Sequence, residues 1–301
     1  MHRILITGGC GLIGSALARR LTAAGHETIN FDLSEYCGRA PMDITDIESV
    51  AAAMEGCAGV VHLAAISRVV WGERDPVRCR EVNVKGTRNV LAAAAARGAQ
   101  APWVLVASSR EVYGQASSFP VPEWAPYRPL NVYARSKVEV ENMAVSSRKD
   151  GLCTSVVRFS SVYGAIADHA DRVAPGFARL AAEGGTLRVD GEDTTLDFTH
   201  IEDVTDGLQM MTDLLSAGHG LPPPVHFVSG RGTTLRELAD IAVKAAGSGI
   251  IEVGPSRDYD VNKFIGDPSR AEQLLGWRSS TVLEEGIKRL VEDFRSRASM
   301  A

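Results

Sequence analysis

Tyr133 and Lys137 lie four residues apart in Asn131-Val132-Tyr133-Ala134-Arg135-Ser136-Lys137. On a helix this spacing brings both side chains to one face, where an ammonium beside a phenol favours the ionised phenol. A free phenol has a pKa of about 10, so poising it near neutrality takes roughly 3 units, about 4 kcal/mol of differential stabilisation. One lysine is a thin source for that, and a second positive charge beside the ring would supply the remainder. The chain carries its own control, because Tyr259-Asp260-Val261-Asn262-Lys263 repeats the spacing. That copy follows Gly254-Pro255 in a polar, turn-rich stretch, with no glycine-rich loop or strand-end serine leading into it, and reads as background.

The first pair has such support. Thr7-Gly8-Gly9-Cys10-Gly11-Leu12-Ile13-Gly14 follows a strand-like run directly and opens a helix, the context a dinucleotide-binding loop requires. Gly8, Gly11 and Gly14 permit a tight turn, close approach of a pyrophosphate and close helix packing. The helix amino end at Leu12 and Ile13 supplies free N–H groups and positive potential. Asp32 ends the second strand, some 20 residues on, where a carboxylate can bond the adenosine ribose hydroxyls and repel a 2'-phosphate. NAD is therefore the expected cofactor, in preference to NADP, and its nicotinamide cation is the second positive charge.

Elements that could position these groups alternate through the first half. Apolar strand-like runs at Ile4–Thr7, Thr28–Phe31, Val60–Ala65, Trp103–Ala107 and Thr154–Phe159 are separated by helical patterns, which calls for a parallel sheet covered on both faces. Gly25 closes the first helix, Asp46 can cap a short helix over Ile47–Met54, and Gly151 follows the helix of Lys137. After Gly164 the regularity fades into short helices at Ala174–Glu183, Leu235–Ala246 and Leu283–Arg295. The expected fold class is α/β, a Rossmann-type doubly wound parallel sheet with a smaller C-terminal α/β substrate-binding lobe. Residues 1–164 would form the NAD-binding domain, with segments near 200–215 returning to it, and residues 165–301 mainly the lobe.

A chain of 301 residues can bury a core of that size. Its net charge of -5 argues against a general nucleic-acid or anionic-membrane surface. Cys10, Cys37, Cys57, Cys79 and Cys153 are odd in number and scattered, without a Cys-x-x-Cys pair, and read as reduced thiols with no metal site. The chain opens straight into a strand-like run, with no signal-peptide pattern and no apolar stretch of membrane-spanning length. A cytoplasmic enzyme is expected.

With the glycine loop, Ser108-Ser109 at a strand end and Tyr133/Lys137 on the next helix in order, the sequence resembles an extended short-chain dehydrogenase/reductase of the NAD-dependent epimerase/dehydratase family, nucleotide-sugar 4-epimerases in particular. The likeness runs almost end to end. It takes in Asp43-Ile44, matching an adenine contact; His62-Leu63-Ala64-Ala65, lining the cofactor; Asn83 in Asn83-Val84-Lys85-Gly86-Thr87; Arg158-Phe159-Ser160-Ser161-Val162-Tyr163-Gly164; Asp197-Phe198-Thr199-His200; and Arg257-Asp258-Tyr259-Asp260 followed by Leu275-Gly276-Trp277. The resemblance implies that Tyr133 removes a substrate hydroxyl proton, Ser109 hydrogen-bonds the same oxygen, and Lys137 holds the nicotinamide ribose and lowers the tyrosine pKa. It further implies cofactor contacts from Ser108, Phe159, Ser160 and Val162, and substrate contacts from Ser67, Arg68, Ser109, Arg110, Ser161, Arg257 and Asp260. A homodimer is implied through the helices holding Val84–Ala96 and Val138–Ser147, although Val90, Leu91, Val140 and Met143 suit sheet packing equally.

The reaction following the first oxidation turns on Ser109-Arg110-Glu111-Val112-Tyr113-Gly114. In relatives with further chemistry on a 4-keto intermediate the Glu111 position is a catalytic glutamate, and in 4,6-dehydratases the residue before it is an acid. Here it is Arg110, which does not give up a proton near neutral pH. Were the strand to stay extended, Glu111 would point with Ser109 towards substrate; otherwise Glu111 pairs with a neighbouring arginine. Leu196 and Ser161 replace the family's usual arginine and asparagine at phosphate contacts, and a lost bidentate arginine weakens an anionic substrate by about 2 kcal/mol. The leading expectation is epimerisation of a nucleotide-diphosphate sugar at C4 through a transient keto intermediate. The alternatives are a dehydratase or decarboxylase using Glu111, a dehydrogenase of a non-nucleotide sugar or secondary alcohol, and a non-enzymatic NAD-sensing regulator. The last can dispense with the active-site tyrosine, which this chain keeps.

Overall fold

Ile4, Leu5 and Ile6 are wholly shielded from solvent in strand β1 (Arg3–Thr7), as expected of a strand covered on both faces. The computed structural model describes residues 1–34, 40–169, 171–218, 220–255 and 261–300. The further strands are β2 (Glu27–Phe31), β3 (Gly59–His62), β4 (Trp103–Ser109), β5 (Thr154–Phe159), β6 (Ser161–Tyr163), β7 (Thr186–Asp190), β8 (Thr195–His200), β9 (Val225–Phe227), β10 (Gly232–Thr234) and β11 (Ile250–Gly254). The larger sheet has the order β2-β1-β3-β4-β5-β9, and the pairs from β2 through β5 are parallel. The order reverses between β1 and β3, so a crevice opens at their carboxyl ends, the usual seat of a ligand in a doubly wound sheet.

Helices α1 (Leu12–Ala23), α2 (Ile47–Ala53), α3 (Val69–Arg74), α4 (Pro76–Arg80), α5 (Gly86–Ala95) and α6 (Val132–Ser147) connect these strands. Their ends follow the sequence signals. The Asp46 side chain accepts from the Glu48 amide at the start of α2, and Gly25 and Gly151 adopt left-handed φ after their helices. One expectation ran long: the strand over Val60–Ala65 stops at His62, because the Leu63 and Ala64 amides turn to the carbonyl and hydroxyl of Thr7.

Two compact units divide the chain. The first comprises residues 1–114, 123–159 and 205–226, the second 115–122, 160–204 and 227–301. The expected boundary at 164 moves to Phe159, because β6 joins the second unit's own sheet, of order β10-β8-β6. A parallel pair, β11 and β7, completes the strands of that unit. Its apolar core gathers Phe177, Leu187, Leu196, Phe198, Leu238 and Leu290, with α7 (Val173–Ala182) and α8 (Leu235–Ala246) covering the strands. The stretch in which regularity fades thus contains short strands whose pairing partners lie far away in sequence. No helix among the described residues is long and apolar enough to cross a membrane.

Candidate active site

The glycine loop fits a dinucleotide through what its backbone excludes. Gly8 has φ +71, and a Cβ there would lie 2.8 Å from the Ala64 nitrogen; at Gly14 it would lie 2.1 Å from the Gly8 carbonyl. Loop and helix start therefore press against the crevice floor with no room for side chains. Gly11 caps α1 without a side-chain bond, leaving the first amides at Leu12 and Ile13 for an anion. Asp32 follows β2, and its carboxylate accepts the amides of Cys10 (3.0 Å) and Ser34 (3.0 Å), retaining lone pairs for ribose hydroxyls. Asp43 accepts the Thr45 amide (2.8 Å) and an Arg78 N–H (3.4 Å); against burial, these donors hold its carboxyl below the usual range.

Behind the loop a polar chain fixes the crevice wall. The Thr87 hydroxyl donates to the Asn83 carbonyl at 2.6 Å, so it must accept from His62 Nε2 at 2.9 Å. The other ring nitrogen, Nδ1, is then an acceptor, satisfied by the Thr7 hydroxyl at 2.7 Å. Burial, with the Lys137 charge adding to it, pushes His62 down to about 3, so the ring stays neutral. Asn83 exchanges hydrogen bonds with both main-chain groups of Ile66 and donates to Ser136 Oγ. Thr7 and Thr87 were not among the expected site residues; the signal available for them was the hydroxyl flanking each cofactor motif.

Tyr133 and Lys137 share a buried face of α6, with Nζ 5.9 Å from the ring centroid. The helix starts where it does because Asn131 Oδ1 accepts the Ala134 amide (2.8 Å) and Glu73 accepts the Val132 amide (2.8 Å). Lys137 Nζ donates to the Ala107 carbonyl at 2.9 Å. Burial pushes the lysine down to about 8 from 10.5, with Cys79 and Glu141 pulling the other way. The unfolded chain therefore holds a proton between about pH 8 and 10.5 that the folded chain has released, and stability contributed at this site rises across that window. Lys137→Met should accordingly gain ligand-free melting temperature over the parent protein at pH 7, with the gap narrowing from pH 8 upward; parallel curves across that range would refute it.

Ser109 lies at the end of β4, in register with Phe159 on β5. Glu111 departs from the extended-strand expectation: the chain turns into a 3-10 helix at Arg110–Tyr113, because Ser109 Oγ caps it by accepting the Glu111 amide at 3.2 Å. Both Glu111 oxygens are engaged, by Arg110 Nη2 at 3.0 Å and Asn131 Nδ2 at 3.1 Å. Ser108 points elsewhere, donating to Glu141 at 2.5 Å. The first unit thus brings together Gly8 to Gly14, Asp32, Asp43, Ile44, Leu63 to Ala65, Asn83, Ser108 to Glu111, Tyr133, Lys137 and Phe159. Ser67 and Arg68 belong to the loop entering α3, with the Arg68 guanidinium 6.0 Å from the Trp71 ring centroid.

Ser160, Ser161 and Val162 belong to the second unit, where Ser161 pairs with Phe198 across β6 and β8. There Leu196 is a core residue rather than a surface one. Arg257, Tyr259 and Asp260 lie outside the described residues. Val90, Leu91 and Val140 are buried in the first unit's core, and Met143 packs against it partly buried. Cys57, Cys79 and Cys153 are free thiols, whereas Cys10 is disulfide-bonded, a correction to the expectation that every cysteine is reduced; Cys10 is held where the glycine loop folds back to Asp32. Among the described residues no cluster of three or more His, Cys, Asp or Glu has metal-holding geometry.

The chain is similar to known proteins along most of its length. The NAD dependent epimerase/dehydratase family model matches residues 4–221. UDP-glucose 4-epimerase of Mycolicibacterium smegmatis is 32% identical over 322 residues, covering 98% of this chain and 99% of its own. UDP-glucuronic acid decarboxylase 3 of Arabidopsis thaliana is 28% identical, covering 99% and 90% respectively. Among solved structures, the UDP-glucose 4-epimerase of Thermus thermophilus, in complex with NAD, superposes with a TM-score of 0.86 at 28% identity, over 97% of this chain and 99% of that one. A family model matched over residues 4–221 and a relative 32% identical over 98% of the chain place it in the NAD-dependent epimerase/dehydratase family of extended short-chain dehydrogenase/reductase enzymes.

Proposed function

We propose that the protein is an NAD-dependent epimerase of a nucleotide-diphosphate sugar, acting at C4 through a transient keto sugar. The observation that carries this reading is the pairing of Tyr133 with a buried, cationic Lys137 while Glu111 is tied down through both oxygens. The glycine loop, Asp32 and Asp43 would hold NAD, which would supply a hydride acceptor able to return the hydride. Tyr133 takes the proton of the substrate hydroxyl, its phenolate stabilised by Lys137. Ser109 Oγ already accepts the Glu111 amide, so its own proton remains to be donated to the reacting oxygen. Reduction from the opposite face requires the keto sugar to turn over in the site, after which Tyr133 gives the proton back.

A second reading makes the protein a decarboxylase or dehydratase through Glu111. It is supported by the position of Glu111, bonded to both Ser109 and the residue that caps the Tyr133 helix, and by likeness to a UDP-glucuronic acid decarboxylase. Incubation with UDP-, dTDP- and GDP-sugars, UDP-glucuronic acid included, with products followed by NMR, separates the two. The epimerase reading expects a C4 epimer, with Glu111→Gln retaining activity to within about tenfold. Loss of carbon dioxide or of water, abolished in Glu111→Gln, would establish the second reading. Failure to bind or turn over any nucleotide sugar would overturn both. Cytoplasmic location and a homodimer complete the proposal, the latter measurable by light scattering.

A further inference from the structure

Beneath the tyrosine, lysine and serine lies a buried ion pair that no step above uses. Glu141, one helical turn past Lys137 on α6, and Arg158 on β5 are each about 1% exposed. Four donors fill the Glu141 carboxylate. Oε1 accepts from Ser108 Oγ (2.5 Å) and Arg158 Nε (2.8 Å), and Oε2 from Arg158 Nη2 (2.6 Å) and the Tyr127 hydroxyl (2.6 Å). Arg158 Nη1 continues to the Tyr113 hydroxyl (2.5 Å) and the Glu123 carbonyl (2.7 Å). The Tyr113 hydroxyl is also hydrogen-bonded to His226 Nε2 at 2.6 Å.

We propose that Glu141 and Arg158 are positioning residues of the hydride-transfer centre, locking the strand end that carries Ser109 and the turn that carries Glu111 to the helix that carries Tyr133 and Lys137. The connections are direct. Ser108 adjoins Ser109 and pairs in register with Arg158, Tyr113 closes the 3-10 turn, and Glu141 shares the Lys137 helix. Stability alone does not call for such a pair, since well-packed apolar residues replace buried ion pairs with no loss or with a gain. Apolar contacts are non-directional, however, whereas charge-assisted, bidentate hydrogen bonds fix angle and distance. The pair suits a site where a displacement of about 1 Å costs about 100-fold in rate.

Two variants test this: Glu141→Met with Arg158→Met, which removes both charges together, and Glu141→Asp, which keeps the charge and withdraws the carboxylate by one methylene. Melting temperature and NAD occupancy report folding; kcat and KM are measured on the sugar turned over. The ionisation of Tyr133 is followed as the pH-dependent absorbance difference from a matched Tyr133→Phe protein. Both variants are expected to fold, bind NAD and keep KM, while kcat falls about 100-fold and the Tyr133 ionisation step moves to higher pH. Should the double variant not fold, Glu141→Asp decides. Parental kcat, or an unmoved Tyr133 step, in a folded variant overturns the proposal. The kcat arm rests on the proposed reaction and the ionisation arm does not, so a wrong substrate silences every protein equally while the Tyr133 step still gives the answer.

Discussion

Tyr133→Phe is expected to lower turnover by about 10²- to 10⁴-fold, the range for loss of a positioned general base, while leaving NAD bound and the fold intact. The substitution removes one oxygen and keeps a ring that is almost entirely buried on α6. A phenyl group fills the same buried space on α6. What goes is the phenolic oxygen, on which the proposed proton transfer depends. The control is Tyr259→Phe, at the repeated spacing, which is expected to leave turnover unchanged. Steady-state rates and NAD occupancy on the three proteins check it, and Tyr133→Phe activity within tenfold of the parent would remove Tyr133 from the chemistry.

Gly14→Val is expected to weaken NAD binding by about 100-fold or more, equivalent to about 2.7 kcal/mol. A Cβ at position 14 would meet the Gly8 carbonyl at 2.1 Å and the Gly9 Cα at 2.8 Å. Both are backbone atoms, so the loop as a whole must move. Movement would take the helix amides away from the pyrophosphate they are proposed to bind. Gly11→Ala is the informative companion, since its φ of -71 suits alanine and its Cβ would meet only the Gly8 carbonyl, at 3.3 Å. Folding should survive there, and any loss of affinity then reports how closely the cofactor approaches. Titration of NAD by calorimetry, with melting temperature alongside, distinguishes the two; parental affinity in Gly14→Val would contradict the cradle.

Much of this site was legible because it is written in local pattern. The glycine spacing, the aspartate after the second strand and the tyrosine–lysine interval each depend on the geometry of a single loop or helix, which neighbouring residues dictate. Continuous apolar runs such as Ile4–Ile6 signal a strand buried on both faces for the same reason. The second unit was less legible, since β7, β8, β10 and β11 are short and gain their hydrogen bonds from chain-distant partners. Glu141 had one available signal, its place four residues after Lys137 on the same helix. Nothing local paired it with Arg158 on another element.

Short-range periodicity and backbone sterics carry the doubly wound frame and the glycine loop, and they mark Tyr133 and Lys137 as the proposed proton-transferring pair. The structure settled the state of Glu111, because a local hydroxyl cap at Ser109 turned the chain into a 3-10 helix, Arg110 took one carboxylate oxygen and Asn131, 20 residues on, took the other. It likewise decided that Ser108 and Ser109 divide their work, one tied to the buried Glu141–Arg158 pair and the other left with a proton to donate. A buried charge must find its partner across elements, and that partner is specified by packing, which no run of neighbouring residues encodes.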